Sequence, residues 1–266
     1  KKCCGDKLVS VHKSDTRYFD FVKKNYSFIV QPFSELIENT MEQKEEVSET
    51  KYYLRSLGDN ARRDPSDIWK SFPELLENDF EIPQWFPYKF PNDERYFSSV
   101  FRIGSKDMQL WTHYDMMDNI LCHISGIKHV TFWSPSLAHR MYLHGSTSEV
   151  TRIDEPNLKK YPLFPYDEAV KCILHPGDIL FIPSLWFHNI YAEDACISIN
   201  LFWRHLTEEF YEKKDLFGNK DLPVGVEAMD LAEVISTKLQ SIPEEYRDFY
   251  ARLAISSLVK NLSHPL

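Results

Sequence analysis

The chain is 266 residues long with 43% hydrophobic and 14% aromatic residues, enough for one large core or for a domain with an appended helical piece. Its formal net charge of −9 argues against a protein that coats nucleic acid nonspecifically, because phosphate affinity comes from neutralising cations, although local basic patches stay possible. The longest apolar stretches, such as DILFIPSLWFHNI, are broken by Pro183, Ser184 and His188 well short of the ~20 residues of a membrane-spanning helix.

Five cysteines without a C-x-x-C pair exclude a zinc ribbon and fit reduced thiols in an intracellular compartment. No secretory or transit signal is visible. The opening KKCCGDKLVSVH lacks an initiator Met and reads as the middle of a longer sequence, so an N-terminal part is expected to be missing.

In chain order, KLVSVHK suggests a short strand. FSELIENTMEQKEEVSE suggests a helix with Phe33, Leu36 and Ile37 on one side that dissolves into a charged run. Residues 58 to 95 gather Gly, Pro, Asp and Asn and read as loop, with one helix near Asp67 to Leu76. The centre then changes: RYFSSVFRIGS, QLWTHYD, NILCHISG, KHVTFWSP, AVKCILHPGDILFIPS and ACISINLFWRHL are short β-branched and aromatic runs, the pattern of a sandwich or barrel. Pro176-Gly177-Asp178 supplies a tight turn between two of them.

After Leu206 the spacing turns helical, with Val224, Ala228, Leu231, Ile235 and Leu239 on one face. Ser241-x-x-Glu244 with Pro243 predicts a capping box that starts a second helix. The division expected is 1–206 for the β-rich domain and 207–266 for a helical extension. The stripe Tyr246, Phe249, Tyr250 and Leu253 predicts a homodimer built on that last helix, the alternative being that it packs on its own barrel.

QLWTHYDMMDN carries the chemistry. On an extended chain His113 and Asp115 point to one side, since residues i and i+2 share a face. His188, in SLWFHNI beyond the Pro-Gly turn, supplies a second imidazole. Two imidazoles and a carboxylate leave open positions on a six-coordinate iron, whereas zinc prefers four ligands. H-x-D alone is more often a satisfied polar pair. Lys128, in ISGIKHV, could pair with the distal carboxylate of a keto-diacid or could be an ordinary solvent-facing residue after a Gly turn.

THYDMMDNILCHISGIKHVTFWSP, PGDILFIPSLWFHNI and SINLFWRHL resemble the JmjC-domain cupins of the Fe(II)/2-oxoglutarate oxygenase superfamily, a match covering about residues 51 to 206. KYYLRSLG, YFSSVFRI, QLWTHYDMMDN, FIPSLWFHN, GNKD and PEEYRDFYAR resemble, more narrowly, the wybutosine-pathway tRNA hydroxylases of that superfamily. The resemblance implies a mainly β fold, a double-stranded β-helix or jelly-roll cupin, with flanking helices and a helical C-terminal extension.

It also implies that His113, Asp115 and His188 bind Fe(II). Lys128 and Tyr53 would hold the C5 carboxylate of the co-substrate 2-oxoglutarate, and Asn119 would contact it too. Asn200 is a weaker candidate by analogy, and Tyr52 competes with Tyr53. Some relatives bind the same carboxylate through a Thr three residues before the first His, where this chain has Leu110, with Thr112 next to His113. The implied partners are O2, phenylalanine tRNA and a second copy of the chain. The implied reaction is hydroxylation of the amino-carboxypropyl side chain of a wybutosine precursor. A JmjC protein hydroxylase or lysine demethylase would keep the same iron site, and a non-catalytic cupin binding module is the third reading.

The remaining candidates have plainer readings. His123, His129, His175 and His205 lack a spaced partner and suit polar packing. Trp111, Phe132, Trp133, Trp186, Phe202 and Trp203 suit barrel core, and their spacing does not say which, if any, stacks on a flat substrate. Arg62, Arg63, Lys159, Lys160, Lys213 and Lys214 read as solvated cations, with phosphate contact the minority reading.

Overall fold

The computed structural model describes residues 4–41, 49–75 and 88–260. The described residues fall into two compact units, one within 1–208 together with 213–220, the other within 209–212 together with 221–266.

In the first unit the central runs become antiparallel strands. Four consecutive pairs carry the architecture: β4 (Tyr96–Gly104) and β5 (Met108–Gln109), β6 (Asp118–Ser125) and β7 (Lys128–Trp133), β10 (Val170–Leu174) and β11 (Ile179–Ile182), β12 (Phe187–Ala192) and β13 (Cys196–Trp203). Each pair sends one strand to each sheet. The larger sheet runs β11-β6-β13-β4 and the smaller β10-β7-β12-β5, so the pairs take the same positions in both. That interleaving is a jelly roll, the double-stranded β-helix of a cupin. The larger sheet is extended by β3 (Lys51–Arg55), β1 (Leu8–Ser14) and β2 (Ser27–Pro32). A small hairpin of β8 (Leu143–His144) and β9 (Thr147–Ser148) completes the strands.

Two turns need glycine. Gly177, between β10 and β11, has φ +97°, and Asp178 accepts a hydrogen bond from the His175 N–H at 2.7 Å, forming the turn that the Pro-Gly-Asp tripeptide predicts. Gly126, between β6 and β7, has φ +86°, and a Cβ there would lie 2.4 Å from the Ala195 carbonyl oxygen.

Alternation along the larger sheet sorts its two faces. Leu54, Phe101, Ile103, Ile120, Ile199 and Leu201 join one apolar cluster with Phe33 and Leu36 of α1 (Phe33–Met41) and Ile68 of α2 (Ile68–Ser71). The residues between them, Tyr53, Arg102, Leu121, Ser198 and Asn200, face the cavity between the sheets.

Several local expectations need correction. QLWTHYD does not form a full strand: pairing stops at Gln109, and His113 makes only isolated bridges to Thr147 and His188. The helix expected near Asp67 is short, ending at Ser71, with the Asp67 carboxylate accepting from the Trp69 N–H at 3.0 Å. The expected Leu76 end and the charged run 42–48 lie outside the described residues.

The second unit is a helical pair, α3 (Pro223–Leu239) and α4 (Glu244–Val259). The expected capping box is not made. Ser241 instead donates its hydroxyl to the Lys238 carbonyl at 2.7 Å, closing the end of α3, and α4 starts after Pro243 without a side-chain cap. Arg247 donates through Nε to the Leu239 carbonyl at 3.2 Å, tying the start of α4 to the end of α3. No residue of either helix is buried. Among the described residues no helix is long and apolar enough to cross a membrane.

Candidate metal centre

His113 and His188 meet through their backbones before their side chains do. The His188 N–H donates to the His113 carbonyl at 2.8 Å and the His113 N–H to the His188 carbonyl at 3.1 Å, bringing the ring centroids to 4.3 Å. Asp115 lies two residues beyond His113, and its Oδ2 is 3.7 Å from His188 Nε2. One ligand atom from each of the three lies within 4.8 Å of the others.

The ring nitrogens are oriented identically. Nδ1 of His113 faces the Trp111 carbonyl at 3.0 Å, and Nδ1 of His188 faces the Trp186 carbonyl at 3.0 Å. A carbonyl only accepts, so each Nδ1 carries the proton and each Nε2 keeps its lone pair. Burial holds both imidazoles neutral, His113 well below its ordinary pKa, where the neighbouring His188 lowers it further. Neutral imidazoles with free Nε2 atoms beside a carboxylate form a donor set that fits a divalent transition metal, and the two-His-one-carboxylate composition fits Fe(II).

The segment carrying Asp115 is held from both sides. Its carbonyl accepts from the Leu185 N–H at 2.9 Å. The next N–H, of Met116, donates at 2.7 Å to the carbonyl of Gly218. Asp215 builds that loop, its buried carboxylate accepting from the N–H groups of Phe217, Gly218 and Lys220. Gly218, which opens the GNKD peptide singled out in the sequence, thus buckles the chain behind the candidate metal ligands.

Beyond the triad the cavity turns basic. Lys128, the first residue of β7, is 5% exposed and donates to Ser198 Oγ at 2.7 Å. No carboxylate among the described residues pairs with it, and burial pulls its pKa down to about 8. Arg102 donates from Nε to Asn200 Oδ1 at 2.9 Å and from Nη1 to the Tyr53 hydroxyl. Asn200 in turn donates to Asn119 Oδ1 at 2.9 Å, so one polar chain crosses four strands. Arg55 stands opposite Arg102 in the β3–β4 register, and burial, then Arg102, lower its pKa to about 10. Among the described residues Asp115 is the one carboxylate lining this cavity, and burial raises its pKa.

Tyr53 and Lys128 line the cavity with the triad, whereas Asn119 lies behind Asn200 and touches it. Tyr52 packs instead on the apolar cluster under the helices. Leu110 lines the cavity, and Thr112, wholly buried, accepts from the Asn189 amide at 3.1 Å. Arg102 is the site residue that sequence reasoning passed over; its only signal was a charge inside the otherwise apolar VFRIG.

Known proteins resemble this chain in sequence. The model of the cupin-like domain matches residues 2–209. The chain is 46% identical over 252 residues to human tRNA wybutosine-synthesizing protein 5, covering 93% of this chain and 78% of that protein. The zebrafish (Danio rerio) protein of the same name is 48% identical, with 93% and 76% covered. A Neurospora crassa protein, tRNA wybutosine-synthesizing protein 4, is 31% identical over 94% of this chain but only 20% of its own length. By its jelly-roll sheets, its matched domain and these identities, the chain belongs to the cupin-like family and, within it, to the tRNA wybutosine-synthesizing protein 5 group.

Proposed function

We propose that this protein is an Fe(II)- and 2-oxoglutarate-dependent hydroxylase acting on phenylalanine tRNA in the wybutosine pathway. The names of its relatives support the pathway and the tRNA. The observation that carries the chemistry is a buried ammonium that has no carboxylate partner among the described residues. Lys128 shares a cavity with the His-Asp-His triad, and among the described residues its hydrogen-bond partner is a serine hydroxyl. Burying a lone charge costs several kcal/mol, roughly, so the cavity is built for an anion that arrives from outside.

A five-carbon keto-diacid meets both ends of that requirement. One carboxylate and the keto oxygen would reach the metal at His113, Asp115 and His188, and the other carboxylate would lie on Lys128 and the Tyr53 hydroxyl. Arg102 keeps Tyr53 in place and adds positive charge to the same end. Leu110, Ile190 and Ala192 line the cavity with apolar surface and exclude water from the methylenes. When bound, Fe(II) supplies the oxidative chemistry: with O2 and 2-oxoglutarate it gives succinate, CO2 and one hydroxyl group on the substrate. The substrate carbon lies on the amino-carboxypropyl side chain of a wybutosine precursor.

The second copy belongs to the same proposal. Tyr246, Phe249, Tyr250 and Leu253 are 57%, 57%, 49% and 51% exposed on α4, a stripe that an isologous contact would cover. The paired subunits would gather scattered cations for tRNA despite the net charge.

The test is turnover of 2-oxoglutarate to succinate by the iron-loaded protein, with and without phenylalanine tRNA bearing the precursor, and the mass of the tRNA product. Stimulation by that tRNA with gain of one oxygen is expected. Iron-loaded protein that turns over only with a peptide substrate, or not at all, contradicts the proposal.

A further inference from the structure

Of the three candidate ligands, Asp115 and His188 are 7% and 5% exposed and His113 has the most solvent contact, so the approach from solvent to the centre is nearest on the His113 side. That approach is aromatic. The half-buried Trp111 ring lies 6.0 Å from the His113 ring. Phe21, 40% exposed, sits 5.0 Å from Trp111 at an interplanar angle of 36°. Tyr26 backs Trp111 in a stacked arrangement, 6.1 Å away at 16°.

Phe21 is exposed but not loose. Its turn is bonded through its own side chains: the Asp20 N–H donates to Asn25 Oδ1 at 2.8 Å, Asn25 Nδ2 donates to the Tyr18 carbonyl at 2.7 Å, and the Lys23 N–H donates to Asp20 Oδ1 at 2.9 Å. Backbone bonds between Phe19 and Gln109 at 2.9 Å and between Gln109 and Arg17 at 2.7 Å fasten this segment to the strand that leads to Trp111. Lys23 and Lys24 are exposed in the same turn. Lys23 lies 4.0 Å from the Asp20 carboxylate, whereas no ion pair among the described residues involves Lys24.

A fixed aromatic ring with a solvent-facing side, next to a reacting centre and beside ammonium groups, matches the chemistry of a heteroaromatic base on a phosphodiester chain. We propose that Phe21 and Trp111 form a stacking platform that holds a nucleobase of the tRNA beside His113, with Lys23 and Lys24 serving the adjoining phosphates. The inference rests on the tRNA reading above and adds the residues that receive the base. Stacking tolerates many ring systems, so the platform fixes where the ring sits while the cavity selects the side chain that enters it.

An anticodon stem-loop of phenylalanine tRNA with 2-aminopurine at the modified position tests this, because stacking quenches that fluorophore. Wild-type protein is expected to bind and quench. Phe21→Ala is expected to weaken binding by about tenfold, within the range for loss of one base–aromatic stack, and to remove most of the quench. Phe21→Trp is expected to retain both, and Phe21→Leu, which keeps apolar contact with Trp111, to behave like Phe21→Ala. A Phe21→Leu protein that binds and quenches like wild type gives the ring a packing role only and overturns the platform. Phe21→Ala binding within about twofold of wild type overturns it also, leaving the tRNA reading intact. Failure of the wild-type protein to bind the stem-loop overturns both.

Discussion

The barrel buries both polar and apolar side chains, whereas the helical pair leaves its own in contact with solvent. Within the barrel unit, β13 alternates Ser198 and Asn200 into the cavity with Ile199 and Leu201 onto the cluster under α1 and α2, so both polar and apolar side chains have partners. In the helical pair Leu231, Ile235, Phe249 and Leu253 are 40 to 64% exposed. The barrel cavity carries the His113, Asp115 and His188 donor set and a Lys128 for which the described residues offer no carboxylate partner. Among the described residues no side chain of the two helices is buried, and their association with each other is tied by Arg247 and a short turn. Ligands should therefore act on the barrel, and self-association on the helices.

The largest effect should come from the triad. His113→Ala, Asp115→Ala and His188→Ala should each lower succinate formation by more than about a hundredfold, since even outer-shell partners of metal ligands cost 10- to 100-fold. The melting temperature of the metal-free protein should change little, because the apolar clusters do not include these residues. A variant with wild-type turnover would remove that residue from the centre.

Lys128→Met comes next. Loss of one charge-assisted bond should raise the 2-oxoglutarate concentration needed by about ten- to a hundredfold, measured as the KM for the co-substrate. Because it also removes a buried ammonium with no carboxylate partner among the described residues, the ligand-free protein should become no less stable. Unchanged KM would refute the assignment.

For the helices, Phe249→Asp combined with Leu253→Asp should halve the mass seen by light scattering while succinate formation without tRNA persists. A monomeric wild-type protein at micromolar concentration, or a dimer indifferent to both changes, would break the contrast between the two units.

The smallest effect concerns acid stability. His12 is held at a pKa of about 4, first by burial, with Arg55 and Arg102 adding to the lowering against the bond to the Tyr53 carbonyl. The unfolded chain binds this proton near pH 6.5 and the folded one does not until about 4, so stability is full above 6.5 and falls as pH drops to 4. Discounted for the solvent contact of the half-buried ring, the loss is on the order of 2 kcal/mol. His12→Phe should flatten that part of the pH–stability curve in urea unfolding; an unchanged slope would contradict it.

The cluster of His113, Asp115 and His188 was legible because its signal is local: His113 and Asp115 are two residues apart, and His188 follows a Pro-Gly turn. Tyr53 and Lys128 needed the family resemblance. Arg102 stayed hidden because nothing in VFRIG tells which face of the strand is inward; that depends on pairing with β3 and β13, fixed far away in the chain. The false strand over QLWTHYD has a similar cause. Its alternation is real, but beyond Gln109 the backbone pairs with single residues of two different segments, Thr147 and His188. The capping box failed because a hydroxyl at Ser241 had a nearer carbonyl to satisfy, that of Lys238.

The central claim is that one cavity holds a metal at the triad and a dicarboxylate on Lys128. Anaerobic titration of 2-oxoglutarate into iron-loaded protein, followed by the visible charge-transfer absorption of the chelate, tests it most directly. The account predicts a saturable band in the wild type, the same band at about ten- to a hundredfold higher co-substrate in Lys128→Met, and none in His113→Ala. Wild-type protein that binds iron at the triad yet develops no band, or a Lys128→Met titration that overlays the wild type, would contradict it.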